Sequence, residues 1–208
     1  MGPSFDPNIC PVRSKLGEFR DNVAHSVGRY GLRIFHGHNP HERPCAGDSF
    51  DEDAYWAGED PYYGNPLITA LYENFLGYKN GRNGVICEDC GALTFKNIKT
   101  ADNKKAGFEM TKLVSVREGK NWIDGAVIVG RTVNNEESQG SPHGIITPQR
   151  DGHSIHNVHF YNYDFGSAAA FGSCSHCFKE PATDSGTRHV VTEGLFFDDA
   201  TVPRRVRH

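Results

Sequence analysis

One short phrase, repeated, constrains this chain more than any other feature. It reads aromatic, any residue, Asn or Asp, nine further residues, then Gly. Phe95-Lys96-Asn97 leads to Gly107, and Tyr72-Glu73-Asn74 leads to Gly84, 23 residues earlier at each matched position. The same frame fits Phe19-Arg20-Asp21 with Gly31 and Phe160-Tyr161-Asn162 with Gly172. Phe196-Phe197-Asp198 opens a fifth copy. A constant period in this range predicts a solenoid, in which each repeat buries its apolar face only by stacking on its neighbours.

The segments between the marks read as short strands. Leu32 and Ile34 alternate with Arg33 over residues 31–35, a period of two. Residues 67–72, 84–87, 92–97, 107–110, 124–130, 144–147, 155–162 and 189–197 are further strands. Helical periodicity is nearly absent, and only the stretch near Trp122 has room for a helical turn. Short strands returning about every 23 residues predict an all-β parallel β-helix. An antiparallel sandwich is the runner-up, but it does not explain Asn and Gly matched at one period. Asn80 and Asn103 also match, and Asn at stacked turns can bond neighbouring amides and accept left-handed backbone.

Three stretches interrupt the period: 37–66, 114–157 and 173–188. The first holds four Pro, four Gly, seven acidic residues and five aromatics, too long for an ordinary turn, so it reads as an excursion from one coil. The expected organisation is an irregular segment over 1–17, one β-helix domain over 18–202, and a basic tail over 203–208. Both ends fall inside the repeat pattern, as expected for a piece of a larger protein.

Composition narrows the function classes. The chain has 208 residues, 23% charged and 37% hydrophobic, with a formal net charge of -4. That balance gives no field favouring nucleic acid, and Arg204, Arg205, Arg207 and His208 read as a solvated terminus. No apolar run approaches the length of a membrane span, so no membrane insertion is expected within this segment. The segment 1–17 lacks the apolar stretch of a signal peptide.

The six cysteines are Cys10, Cys45, Cys87, Cys90, Cys174 and Cys177. An even count favours disulfides, with Cys10–Cys45 the first pairing and Cys174–Cys177 a local bridge. Cys87-Glu-Asp-Cys90 and Cys174-Ser-His-Cys177 could also frame a four-cysteine zinc site. The two pairs stand far wider apart than zinc-module spacing, and a redox pair would need a β-α-β setting.

Histidines supply the remaining candidates. His36, His38 and His41 cluster at the first excursion, where a polar exposed strand edge is favoured over a metal site. His143, Arg150, Asp151 and His153 gather around Pro148. Of these, Asp151, His153 and Arg150 are the candidates for acid–base work on a polysaccharide, against a plain polar turn. His36, His38 and His143 are the candidate binding residues. Glu18, Asp21, Glu73 and Glu109 are scattered and form no glycosidase dyad on sequence grounds. No cofactor and no metal are expected.

Longer phrases carry a family resemblance. Phe19-Arg-Asp-Asn-Val-Ala-His-Ser26 followed by Tyr30-Gly-Leu-Arg-Ile-Phe35 resembles the β-helix of fibrocystin-L-type proteins. Related segments of cell-migration-inducing and cell-surface hyaluronidases look similar, with Tyr78-Lys79-Asn80-Gly81 matching an aromatic-Lys-Asn strand. Gly144-Ile-Ile-Thr-Pro-Gln-Arg-Asp-Gly152, Gly172-Ser-Cys-Ser-His-Cys-Phe178 and Thr183-Asp-Ser-Gly186 look closest to the fibrocystin-L type. The resemblance spans about residues 10 to 200. It implies a right-handed parallel β-helix from a large secreted or membrane-anchored ectodomain, located outside the cell or on its surface. The fibrocystin branch implies a receptor-like or cell-coat role; the other branch implies hyaluronan degradation, and none of its catalytic residues carries over. The expectation is a structural and interaction segment with protein or glycan partners. The alternative is a carbohydrate-active, hyaluronidase-like domain.

Overall fold

The computed structural model describes residues 9–35, 37–46, 51–57, 64–111, 113, 121–135, 141–148, 152–172 and 190–199. In chain order the strands are β1 (Val23–His25), β2 (Tyr30–Phe35), β3 (Ala70–Glu73), β4 (Leu76–Tyr78), β5 (Asn83–Glu88), β6 (Leu93–Ala101), β7 (Ala106–Met110), β8 (Asn121–Val129), β9 (His143–Ile146), β10 (His153–Tyr161), β11 (Ala169–Gly172) and β12 (Val190–Asp198). The described helical structure is one α-helix, Glu52–Ala57, and a 3-10 turn, Pro11–Arg13. Trp122, where the sequence left room for a helical turn, lies within β8. There its neighbours Ile123 and Ile128 turn inward as strand residues.

The strands form two sheets. Sheet A runs β1-β4-β6-β8-β10-β12, with β3 also on β6, and sheet B runs β2-β5-β7-β9-β11. All pairings between these strands are parallel. The chain therefore passes from one sheet to the other and returns to add the next strand, the path of a parallel β-helix. The same offset that relates Asn80 to Asn103 relates Leu76 to Lys99 and Asn83 to Ala106. Elsewhere the excursions lengthen it unevenly: Val23 pairs with Leu76, Thr94 with Trp122, Ile123 with Ile155, and Ile155 with Thr192.

Inward side chains stack in rows along the solenoid. Tyr72, Phe95, Ile123 and Ile155 form one row of sheet A; Thr100, Ile128 and Phe160 form another. Val85, Phe108 and Ile145 face them from sheet B, and nearly all of these are fully buried. A glycine row, Gly31, Gly84, Gly107 and Gly144, lets the turn into sheet B press against the coil above. A Cβ on Gly84 would lie 2.7 Å from the Gly107 carbonyl and 2.6 Å from Thr100. Asn80 and Asn103 make a buried ladder beside it. The Asn103 amide oxygen accepts from the Asn80 backbone N–H and side chain, at 3.2 and 2.9 Å.

Two columns of left-handed residues bend sheet A. The first comprises Asp21, Asn74, Asn97, Gly125, Asn157 and Gly194, all with φ between 52° and 74°. The second comprises Ser26, Lys79, Asp102, Asn162 and Asp199, with φ between 52° and 57°. Asn and Asp tolerate this backbone because their side chains bond locally, and Gly because it has no Cβ. The repeat frame set Asn162 beside Asn74 and Asn97. The register instead places Asn157 there, since His156 and Val158 flank it opposite Asp124 and Ala126. Gly172 likewise pairs with Ile146, while Gly144 and Ala170 continue the Gly84–Gly107 row.

Candidate functional site

The first left-handed column is the floor of a groove of about 620 Å³ on the outer face of sheet A. Asp21, Asn74, Asn97, Gly125 and Asn157 line it from end to end. The floor is pre-ordered. Asn74 Nδ2 donates to Asp21 Oδ1 at 2.9 Å, and Asn97 Nδ2 to Asn74 Oδ1 at 3.2 Å. Asn157 Nδ2 donates to Asp124 Oδ1 at 3.2 Å. Gly125 allows a close approach within the floor: a Cβ there would lie 2.9 Å from Asn97 Oδ1.

The two sides of the floor differ in chemistry. On one side, outside the residues that line the groove, runs the register Arg20, Glu73, Lys96, Asp124, His156, Glu193. Lys96 Nζ lies 3.6 Å from Glu73, and His156 Nδ1 lies 3.5 Å from Glu193. The other side follows Val23, Leu76, Lys99, Val127, His159, Phe196. It is largely apolar, interrupted by the exposed Lys99; its two ends are the most open to solvent, with Val23 59% and Phe196 49% exposed. The His159 and Phe196 rings stack at 4.5 Å, and one row outward His25 stacks on Tyr78 at 4.8 Å.

The residues singled out from sequence lie elsewhere. His36, Arg150, Asp151, Cys174 and Cys177 fall outside the described residues. His153 is 1% exposed, at the start of β10. Its Nδ1 sits 2.7 Å from Asn121 Oδ1, and Asn121 Nδ2 donates to the Gly91 carbonyl. Since the Asn121 oxygen can only accept, Nδ1 carries the proton and the buried Nε2 is left unpartnered. Burial pushes the imidazole pKa down to about 3; the hydrogen bond to Asn121 opposes this, and nearby His156 adds to it. His143 is on β9 of the other sheet and reaches solvent. Crowding by its neighbours still lowers its pKa, Lys105 lowers it further, and Glu109 opposes both. His38 is half-buried, edge-on to Tyr72 at 6.3 Å, with its pKa lowered by burial against a Val12 backbone hydrogen bond. The exposed-edge reading fails for His41, which is 1% exposed with Nδ1 2.8 Å from the Asn65 carbonyl.

His153 makes stability pH-dependent. The folded imidazole stays neutral to about pH 3, while the unfolded one charges near pH 6.5. Between those values the unfolded state binds more protons, so stability falls as pH falls. From pH 7.5 to pH 5 the loss from this group is expected to be about 2 kcal/mol. Urea unfolding at the two pH values measures it, and His153→Gln should flatten the dependence by that amount.

Among the described residues two disulfides pin the structure. Cys10 bonds Cys45, with Cα atoms 5.4 Å apart, and Cys87 bonds Cys90 within the core at 5.9 Å. The first ties the N-terminal segment to the start of the excursion, where Val12 and Arg13 carbonyls accept from the Asn39 and His41 N–H groups.

No family model matches the chain, and no solved structure matches it. Fibrocystin-L of Mus musculus is 30% identical to it over 183 residues. The chain is similar to a segment of fibrocystin-L. The match covers 84% of this chain and 4% of the mouse protein. Fibrocystin-L of Homo sapiens is likewise 30% identical, over 185 residues, with the same 84% and 4% coverage. Among the described residues no helix is long and apolar enough to cross a membrane, and no group of His, Cys, Asp and Glu could hold a metal.

Sequence reasoning missed Gly125, Val127, Asn157, His159 and Phe196 as site residues. Their only signal is cross-strand register, and the excursions space their partners unevenly along the chain.

Proposed function

We infer that this chain is a rigid interaction segment of a large extracellular or cell-surface protein. It is a right-handed β-helix whose coils keep the Asn80-to-Asn103 repeat length where no excursion intervenes. The observation that carries the reading is the three-row face of sheet A: a charged row, an amide floor and a mainly apolar row that only Lys99 and His159 interrupt, following one another over successive coils. A solvated sheet has no folding reason to set Val23, Leu76, Val127 and Phe196 in one outward row; apolar side chains grouped in this way mark an interaction surface. The match to a small part of fibrocystin-L supports a segment of a larger chain, and the disulfides suit an oxidising compartment.

The polysaccharide-degrading reading has no comparable support. Of its three candidate residues, Arg150 and Asp151 lie outside the described residues and His153 is sealed in the core.

The test is binding of the labelled chain to intact cells of its own organism. Saturable binding is expected, and Val127→Glu should weaken it at least tenfold while remaining folded, since the new carboxylate faces Lys99 across the register. Absent binding, or equal binding by both proteins, would contradict the reading.

A further inference from the structure

We propose that the groove of sheet A holds an uncharged glycan chain lying along the solenoid axis. This rests on the interaction reading above and names its ligand. Three observations carry it.

The first is the floor. Asn74, Asn97 and Asn157 are exposed amides; Asn74 and Asn97 each use one N–H within the column and Asn157 uses one on Asp124 beside it. Every amide keeps a second N–H and a spare lone pair, so the floor offers paired donors and acceptors, as a row of hydroxyls requires. The inter-residue bonds fix these amides beforehand, which lowers the ordering cost of binding.

The second is the apolar side. His159 lines the groove with Leu76 and Val127, and its ring stacks on Phe196 at 4.5 Å, which leaves the ring edges beside the amides. An apolar border beside hydrogen-bonding amides suits a sugar, which has apolar C–H faces and a polar rim. Neighbouring parallel strands are about 4.8 Å apart, so each coil presents one floor position and one wall position at a spacing close to one sugar ring.

The third is charge. The groove itself carries one carboxylate, Asp21, and one ammonium, Lys99, at separate positions. The row beside it, from Arg20 to Glu193, holds two fixed cations, Arg20 and Lys96, and three carboxylates, Glu73, Asp124 and Glu193. No excess of positive charge is aimed at the ligand, which favours a neutral chain over a polyanion.

The experiment is calorimetric titration of the 208-residue chain with chitohexaose, cellohexaose and laminarihexaose, with a hyaluronan hexasaccharide as the charged comparator. At least one neutral hexasaccharide should bind, and more tightly than the charged one. His159→Ala and Val127→Glu, each checked for native circular dichroism, should weaken that binding at least tenfold. Arg33→Ala on sheet B should leave it unchanged. The proposal is overturned if no neutral hexasaccharide binds, or if both groove variants bind like the parent. Cell binding separates this failure from that of the underlying reading. Binding that is lost in Val127→Glu but survives enzymatic removal of surface glycans leaves the face in place, occupied by a protein. Binding insensitive to Val127→Glu removes the face itself.

Discussion

Replacing Phe95 by alanine is expected to lower the unfolding free energy by about 4 kcal/mol. Phe95 is fully buried in the middle of β6. Its ring stacks on Tyr72 at 5.3 Å and meets Phe108 edge-on at 4.9 Å, so it joins one sheet-A row to the facing sheet-B row. Deleting it loses the transfer free energy of the ring and leaves a cavity that flanking coils, held by backbone ladders, cannot close. For a chain of this size the melting temperature should fall by roughly 12 °C. Phe35→Ala is the control: that side chain is 60% exposed, and its loss should stay within about 0.5 kcal/mol. Denaturant unfolding of both variants measures the difference. Equal effects would contradict the inward placement of Phe95.

Gly84→Ala is expected to cost about 3 kcal/mol, the upper range for overpacking. The new methyl would meet Thr100 at 2.6 Å, the Gly107 carbonyl at 2.7 Å and the Asn103 amide nitrogen at 2.9 Å. Two of these belong to the next coil's backbone or to the buried Asn ladder, so the methyl separates the coils it sits between. Gly28→Ala provides the contrast, since a Cβ there meets nothing within 4 Å. The melting temperature of Gly84→Ala should fall by roughly 9 °C while that of Gly28→Ala stays close to the parent.

Legibility in the sequence followed the excursions. Between Leu67 and Leu113 no excursion intervenes, so the shared offset of Asn80 to Asn103 and Gly84 to Gly107 was visible, and the stacked turns formed as the residues implied. Past Leu113 the inserted lengths differ, and a fixed period loses register. Asn157 and Asn162 show why. Both are left-handed and both follow an aliphatic or aromatic inward residue by two positions. The frame chose Phe160-Tyr161-Asn162 over Ile155-His156-Asn157 because it demanded an aromatic, whereas the fold demands only a buried apolar side chain.

The candidate site was less legible for a related reason. Its walls consist of every second residue on successive strands, so each wall draws one residue per coil. Val127, His159 and Phe196 look ordinary along the chain and become a surface only once β8, β10 and β12 are aligned. The histidine clusters were misleading because proximity in sequence is not exposure. His41 and His153 are among the most buried polar residues, and each has a specific hydrogen-bonding partner.

The groove exists only if Asn97, Gly125 and Asn157 occupy adjacent positions on β6, β8 and β10. Amide-resolved NMR tests this most directly, through cross-strand nuclear Overhauser contacts in a labelled sample. The expected pattern links Lys96 and Ile98 to Gly125's neighbours Asp124 and Ala126, and links those to His156 and Val158. Contacts that instead set Tyr161 and Tyr163, the residues around Asn162, opposite Asp124 and Ala126 would place Asn162 where Asn157 now stands. Asn157 and His159 would then leave the groove, and the single face proposed for binding would not exist.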